Sequence, residues 1–76
     1  MEKGIYIEGF WERLEEAVRL SGMTKTEIAR RIGCDRKSLY ELSRTRRMLH
    51  CGYMAKFCAI TKVSADWLLG LKREMR

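Results

Sequence analysis

KTEIARRIGCDRKSLYELSR, residues 25–44, is the stretch whose reading decides the fold. Ile28, Ala29 and Ile32 recur at spacings of three and four, the period of a helix with one inward face. Thr24 precedes the stretch and Glu27 follows it three places on, which is the capping-box pattern of threonine at N-cap and glutamate at N3. That helix is expected to run to about Arg31. Gly33 then breaks the pattern, and a glycine there accepts the positive φ that a tight turn demands. Asp35 is a good N-cap for the next helix, but Ser38 stands where a full box would want Glu or Gln, so this second box is half made. The second helix is expected to reach about Ser43 with Leu39 and Leu42 inward. Two helices of about eight residues can meet at a steep angle only if a small residue lies where they touch, and Ala29 is that residue.

This spacing leaves Asp35, Arg36, Lys37, Tyr40, Glu41 and Arg44 facing outward on the second helix. These are long, hydrogen-bonding side chains. An α-helix fits the major groove of DNA, where arginine and lysine read guanine edges. Residues at the helix start reach deepest, which singles out Arg36 and Lys37.

Outward from this core the pattern stays helical. Phe10, Leu14, Ala17 and Val18 form one apolar stripe on a helix from Phe10 to Ser21, ended by Gly22. Residues 1–9 are undecided: Ile5 and Ile7 alternate as in a strand, over too short a run. A basic connection runs from Ser43 to Cys51. A fourth helix is expected over Gly52–Thr61, with Met54, Phe57, Cys58 and Ile60 apolar, and Ser64 caps a short fifth helix, Ala65–Leu69, closed by Gly70. The tail, LKREMR, reads as frayed helix. The chain is thus expected to be one all-α domain over residues 1–76, a compact bundle of five short helices. Residues 1–9 form its arm and residues 71–76 its tail.

Charge supports a polyanionic partner. The net charge is +6, from sixteen Lys and Arg against ten Asp and Glu. It is segregated: residues 1–16 hold five acids and two bases, whereas residues 30–47 hold seven bases and two acids. Three cysteines (Cys34, Cys51 and Cys58) make an odd set without a C-x-x-C pair, so free thiols in a reducing compartment are expected rather than disulfides or zinc. His50 beside Cys51 has no third ligand nearby to make a metal site. The start, MEKGIYIEGFWE, carries acids where the apolar part of a signal peptide would sit, and no apolar run approaches a membrane span. The expectation is a cytoplasmic protein with no membrane partner, no cofactor and no small-molecule ligand.

Two stretches carry a resemblance: MTKTEIARRIGCDRKSLYEL and, about twenty residues on, VSADWLLGL. In that order they resemble the helix-turn-helix and closing helix of the lambdoid phage repressor and Cro proteins and of the wider XRE-type bacterial regulators. The resemblance covers about Leu14 to Leu71. It implies a lambda-repressor-like five-helix fold, homodimeric binding to a two-fold double-stranded DNA operator, and control of transcription. It places Arg36, Lys37 and Glu41 at base-reading positions. Tyr40, on the same face, joins that set, with phosphate contact or cover for the core edge as alternatives. Glu41 either accepts from cytosine N4 or pairs with Lys37 one turn earlier. Thr24 and Lys25 match positions near the DNA backbone at the start of helix 2, and Arg44, Arg46 and Arg47 match a phosphate-touching loop. Trp67 and its neighbours Leu68 and Leu71 match the surface that such dimers share.

The chain also departs from the family. An arginine in helix 1 often pairs with a glutamate after helix 3, but the matching positions are Val18 and Ser43. Losing both partners leaves no unpaired charge. The usual glycine after the recognition helix is Thr45, and the usual proline of the next loop is absent, which leaves the loop conformation open.

The leading expectation is therefore a sequence-specific DNA-binding regulator, a repressor by default. The competing one is a protein-interaction module, antitoxin-like or anti-repressor, using the same fold on an acidic partner. A face rich in Arg and Lys is a poor interface core, which counts against it. An enzyme finds no support: there is one histidine, no nucleophile–base pair and no phosphate-binding glycine loop.

Overall fold

The computed structural model describes residues 6–76, so the isoleucine alternation at Ile5 lies outside the described residues. Five α-helices follow one another: α1 (Phe10–Ser21), α2 (Lys25–Ile32), α3 (Arg36–Arg44), α4 (Cys51–Thr61) and α5 (Ala65–Leu68). No strand occurs among the described residues. The helices gather into a globule with a radius of gyration of 11.8 Å. α2 packs on α3 and α4, while α1 packs on α4 and α5.

Local signals explain most boundaries. The Thr24 hydroxyl accepts from the Glu27 backbone N–H at 3.1 Å, satisfying one orphan donor of α2. The Glu27 carboxylate does not return the favour and instead takes Arg30 at 2.5 Å and Arg31 at 2.8 Å. Gly33 adopts φ +82° and ends α2. Its N–H donates to the Ala29 and Arg30 carbonyls, and that of Cys34 to Ala29, as in a Schellman turn. Ser64 Oγ caps α5 by accepting from the Asp66 N–H at 3.1 Å.

The core joins Phe10, Leu14 and Ala17 of α1, Ile28, Ala29 and Ile32 of α2, Leu39 of α3, Phe57 of α4 and Leu68 of α5. α3 enters it asymmetrically: Leu39 is buried and Leu42 only half-buried. Leu49, in the α3–α4 connection, is buried as well.

Two expectations are corrected. The tail from Leu71 to Arg76 is bent chain rather than frayed helix, and it is tied back: the Ser64 N–H donates to the Met75 carbonyl at 2.7 Å, and Met75 packs on the core. Leu68, expected at a dimer surface, is 0% exposed and belongs to the core of the single chain. α5 is a single turn, so whichever side chain it sends inward must serve as its anchor. Trp67 is half-buried, and Leu71 is 76% exposed.

Candidate nucleic-acid interface

α3 positions the site. With Leu39 inward, Arg36, Lys37, Tyr40, Glu41 and Arg44 are all exposed. Tyr40 is 64% exposed and does not cover the core edge. Asp35 occupies the N-cap position, yet its carboxylate makes no capping hydrogen bond. Arg36 and Lys37 therefore stand in the first turn beside backbone N–H groups that have no side-chain cap, where the helix dipole adds to their positive field. Neither makes an ion pair among the described residues, and the same holds for Arg47.

The other cations between Lys25 and Arg47 are engaged. Glu41 pairs with Arg44 rather than with Lys37, and this raises the Arg44 pKa above the usual guanidinium value. Arg30 and Arg31 share Glu27, whose carboxyl they hold below the ordinary range, Arg31 contributing most. Lys25 pairs across elements with Glu15 of α1 at 2.5 Å. Arg46 Nη1 donates to the Tyr6 hydroxyl at 2.9 Å, its guanidinium lies 5.4 Å from the centre of the Tyr6 ring, and Glu12 lies 3.8 Å away. The phenol is the main cause of the raised Arg46 pKa, with Glu12 adding to it.

The loop after α3 resolves the question left by the missing glycine. Thr45 has φ −92°, so no glycine is needed there; the left-handed residue is Arg46, at φ +59°. Thr45 Oγ1 donates to the Glu41 carbonyl at 2.8 Å and closes α3. The loop is also held from α1, where the Trp11 indole N–H donates to the Arg47 carbonyl at 2.8 Å.

Lys25, Arg36, Lys37 and Tyr40 come together around one groove between α1 and α3. Arg44 and Arg46 line a smaller neighbouring one, which shares Trp11, Glu15 and Ser43 with the first. Thr24, Glu41 and Arg47 line neither, nor do Trp67 and Leu71. Among the described residues no three His, Cys, Asp or Glu side chains converge as a metal site would need. His50 has a structural role: its Nδ1 accepts from the Gly52 N–H at 3.0 Å and caps α4, a role absent from the usual N-cap residues and so invisible to pattern reading. Cys34 is buried, Cys58 half-buried and Cys51 exposed. Burial pushes the Cys34 thiol up, aided by Asp35, and burial does the same to Cys58.

Sequence reasoning also missed Arg13. Its Nε donates to the Leu68 carbonyl at 2.9 Å and its Nη2 to the Glu8 carbonyl at 3.2 Å, joining both ends of the described chain. Nothing in its local sequence marks it, and only the meeting of α1 with α5 gives it the Leu68 carbonyl as a partner. Among the described residues no helix is long and apolar enough to cross a membrane.

Comparison with protein-family models, curated proteins and solved structures finds no match to this chain.

Proposed function

We propose that the chain is a sequence-specific double-stranded DNA-binding regulator of transcription, acting as a repressor through α3 in the major groove. The observation that carries this reading is the first turn of α3. Arg36 and Lys37 are exposed there, without ion-pair partners among the described residues, on a helix anchored from behind by Leu39. Arginine and lysine at the start of an exposed helix suit guanine edges.

Around this turn, Lys25, Arg44, Arg46 and Arg47 supply phosphate contacts, with Thr24 beside the backbone. Lys25 and Arg44 then exchange their surface carboxylates for phosphates, a swap that solvent screening makes easy. Glu41, held by Arg44, reads a base only once that pair opens. The likeness of residues 23–42 to the lambdoid and XRE helix-turn-helix supports the reading. Dimerisation on a two-fold operator then rests on Trp67 and Leu71, without Leu68. Such a pair sets the two recognition helices about 34 Å apart, one turn of DNA.

The test is selection of binding sites from random duplex DNA at two salt concentrations, with wild type and Arg36→Ala/Lys37→Ala. The expected result is a palindromic motif with half-sites about one turn apart, lost in the double variant. Weak, sequence-blind binding that disappears with modest salt would refute the proposal and turn attention to a protein partner.

A further inference from the structure

The groove beside α3 has a volume of about 520 Å³ and lies between α1, the start of α2 and α3. Its floor is Trp11, Leu14 and Leu39, each less than a tenth exposed. Trp11 is held in this floor by its indole N–H, which donates to the Arg47 carbonyl, and by its ring, which meets Phe10 edge-on at 5.2 Å. Small-molecule sites have about this volume (roughly 300–1,000 Å³), an apolar floor and a few polar groups at the rim.

The rim selects the charge of the occupant. Lys25 is taken by Glu15. What remains is Arg36 and Lys37 against the single carboxylate of Asp35, so the rim attracts an anion. An indole and two leucines favour a flat apolar body. We propose that this groove binds a small amphipathic anion, a planar aromatic ring system carrying one carboxylate, with its ring over Trp11, Leu14 and Leu39 and its acid against Arg36 and Lys37. This departs from the sequence-based expectation of no small-molecule ligand, since the groove exists only where α1 and α3 stand apart. The site rests on the groove alone. Its consequence, occlusion of Arg36 and Lys37 from DNA, rests on the function proposed above.

The experiment is a heteronuclear NMR titration of the full chain with β-naphthoate and, in parallel, with neutral β-naphthamide. Naphthoate is expected to move the Trp11 indole N–H and the Leu14, Leu39 and Ser43 amides saturably, with naphthamide about fivefold weaker. Arg36→Ala/Lys37→Ala should weaken naphthoate about five- to tenfold and leave naphthamide unchanged, given two exposed charge contacts each of a few-fold effect. Ser43→Phe fills the groove without altering its charge and should abolish binding. Shifts centred on Trp67 and Leu71, equal affinity for the two probes, or full binding by a folded Ser43→Phe protein would each overturn the proposal. Should Ser43→Phe not fold, the wild-type shift map and the ratio of the two probes decide. No readout uses DNA, so this site and the DNA-binding reading fail separately.

Discussion

Leu39→Ala tests whether α3 is seated as described. Leu39 is the one buried residue of α3, at 7% exposure. Truncating a buried leucine to alanine costs about 2–5 kcal/mol, depending on how well the site collapses or fills. Leu39 borders the groove, so the vacated space opens to water instead of forming a sealed void, which places the cost at about 2–3 kcal/mol. A chain of 76 residues has roughly 4–11 kcal/mol of stability in all, so this is a large share. The corresponding fall in Tm is about 10–20 °C. Leu42→Ala, at a half-buried position, should cost about 1 kcal/mol. Arg36→Ala and Lys37→Ala, exposed and unpaired, should each stay within about 0.5 kcal/mol. Urea unfolding followed by circular dichroism measures all four, and Leu39→Ala should lower the midpoint without changing the slope. If Leu39→Ala costs under about 0.5 kcal/mol, or less than Leu42→Ala, α3 is not anchored through Leu39 and the outward face is misassigned.

Arg13→Ala should cost about 1–2 kcal/mol in the same assay, because it removes charge-assisted bonds to the Leu68 and Glu8 carbonyls that are partly solvent-screened; an effect within about 0.5 kcal/mol would contradict the clamp. The Glu27 carboxyl is held below its ordinary value of 4.5, chiefly by Arg31 and then Arg30. Its contribution is therefore present above the unfolded pKa and is lost as pH falls through the lower folded pKa. Glu27→Gln should accordingly flatten the acid limb of stability against pH, and an unchanged limb would show that the two arginines do not hold it. With a disulfide reagent, Cys51 should label first while Cys34 and Cys58 lag, since burial raises both thiols. Cys51→Ser should delete the fast phase, and a fast phase that survives would place Cys34 or Cys58 at the surface.

Much of the helical layout is legible in the sequence alone. Thr24, Gly33 and Ser64 act on backbone groups two to four residues away, and Gly22 closes α1 by its own left-handed backbone, so their identity alone marks where helices start and stop. The apolar stripe of α1 and the inward set of α2 are likewise properties of spacing within one helix. The exposure of Arg36, Lys37 and Tyr40 follows from the same period once Leu39 is taken as inward. Spacing is less informative where an element is short or irregular. One turn of helix carries no period to separate Leu68 from Trp67, and the α3–α4 connection hides a buried Leu49 and a histidine cap.

Only the tertiary structure decided what depends on residues remote in sequence. Trp11 reaches Arg47 across 36 residues and Arg13 reaches Leu68 across 55. Arg46 meets Tyr6 across 40, and a cation of the positive segment becomes a structural tether. The pairing of Lys25 with Glu15 and the groove between α1 and α3 arise in the same way, from the angle at which helices meet over the core. Caps and periods are written in local chain geometry and can be read from spacing. Which charge is free, which leucine is buried and where a cavity opens are set by packing between helices, and no window of the sequence contains both partners.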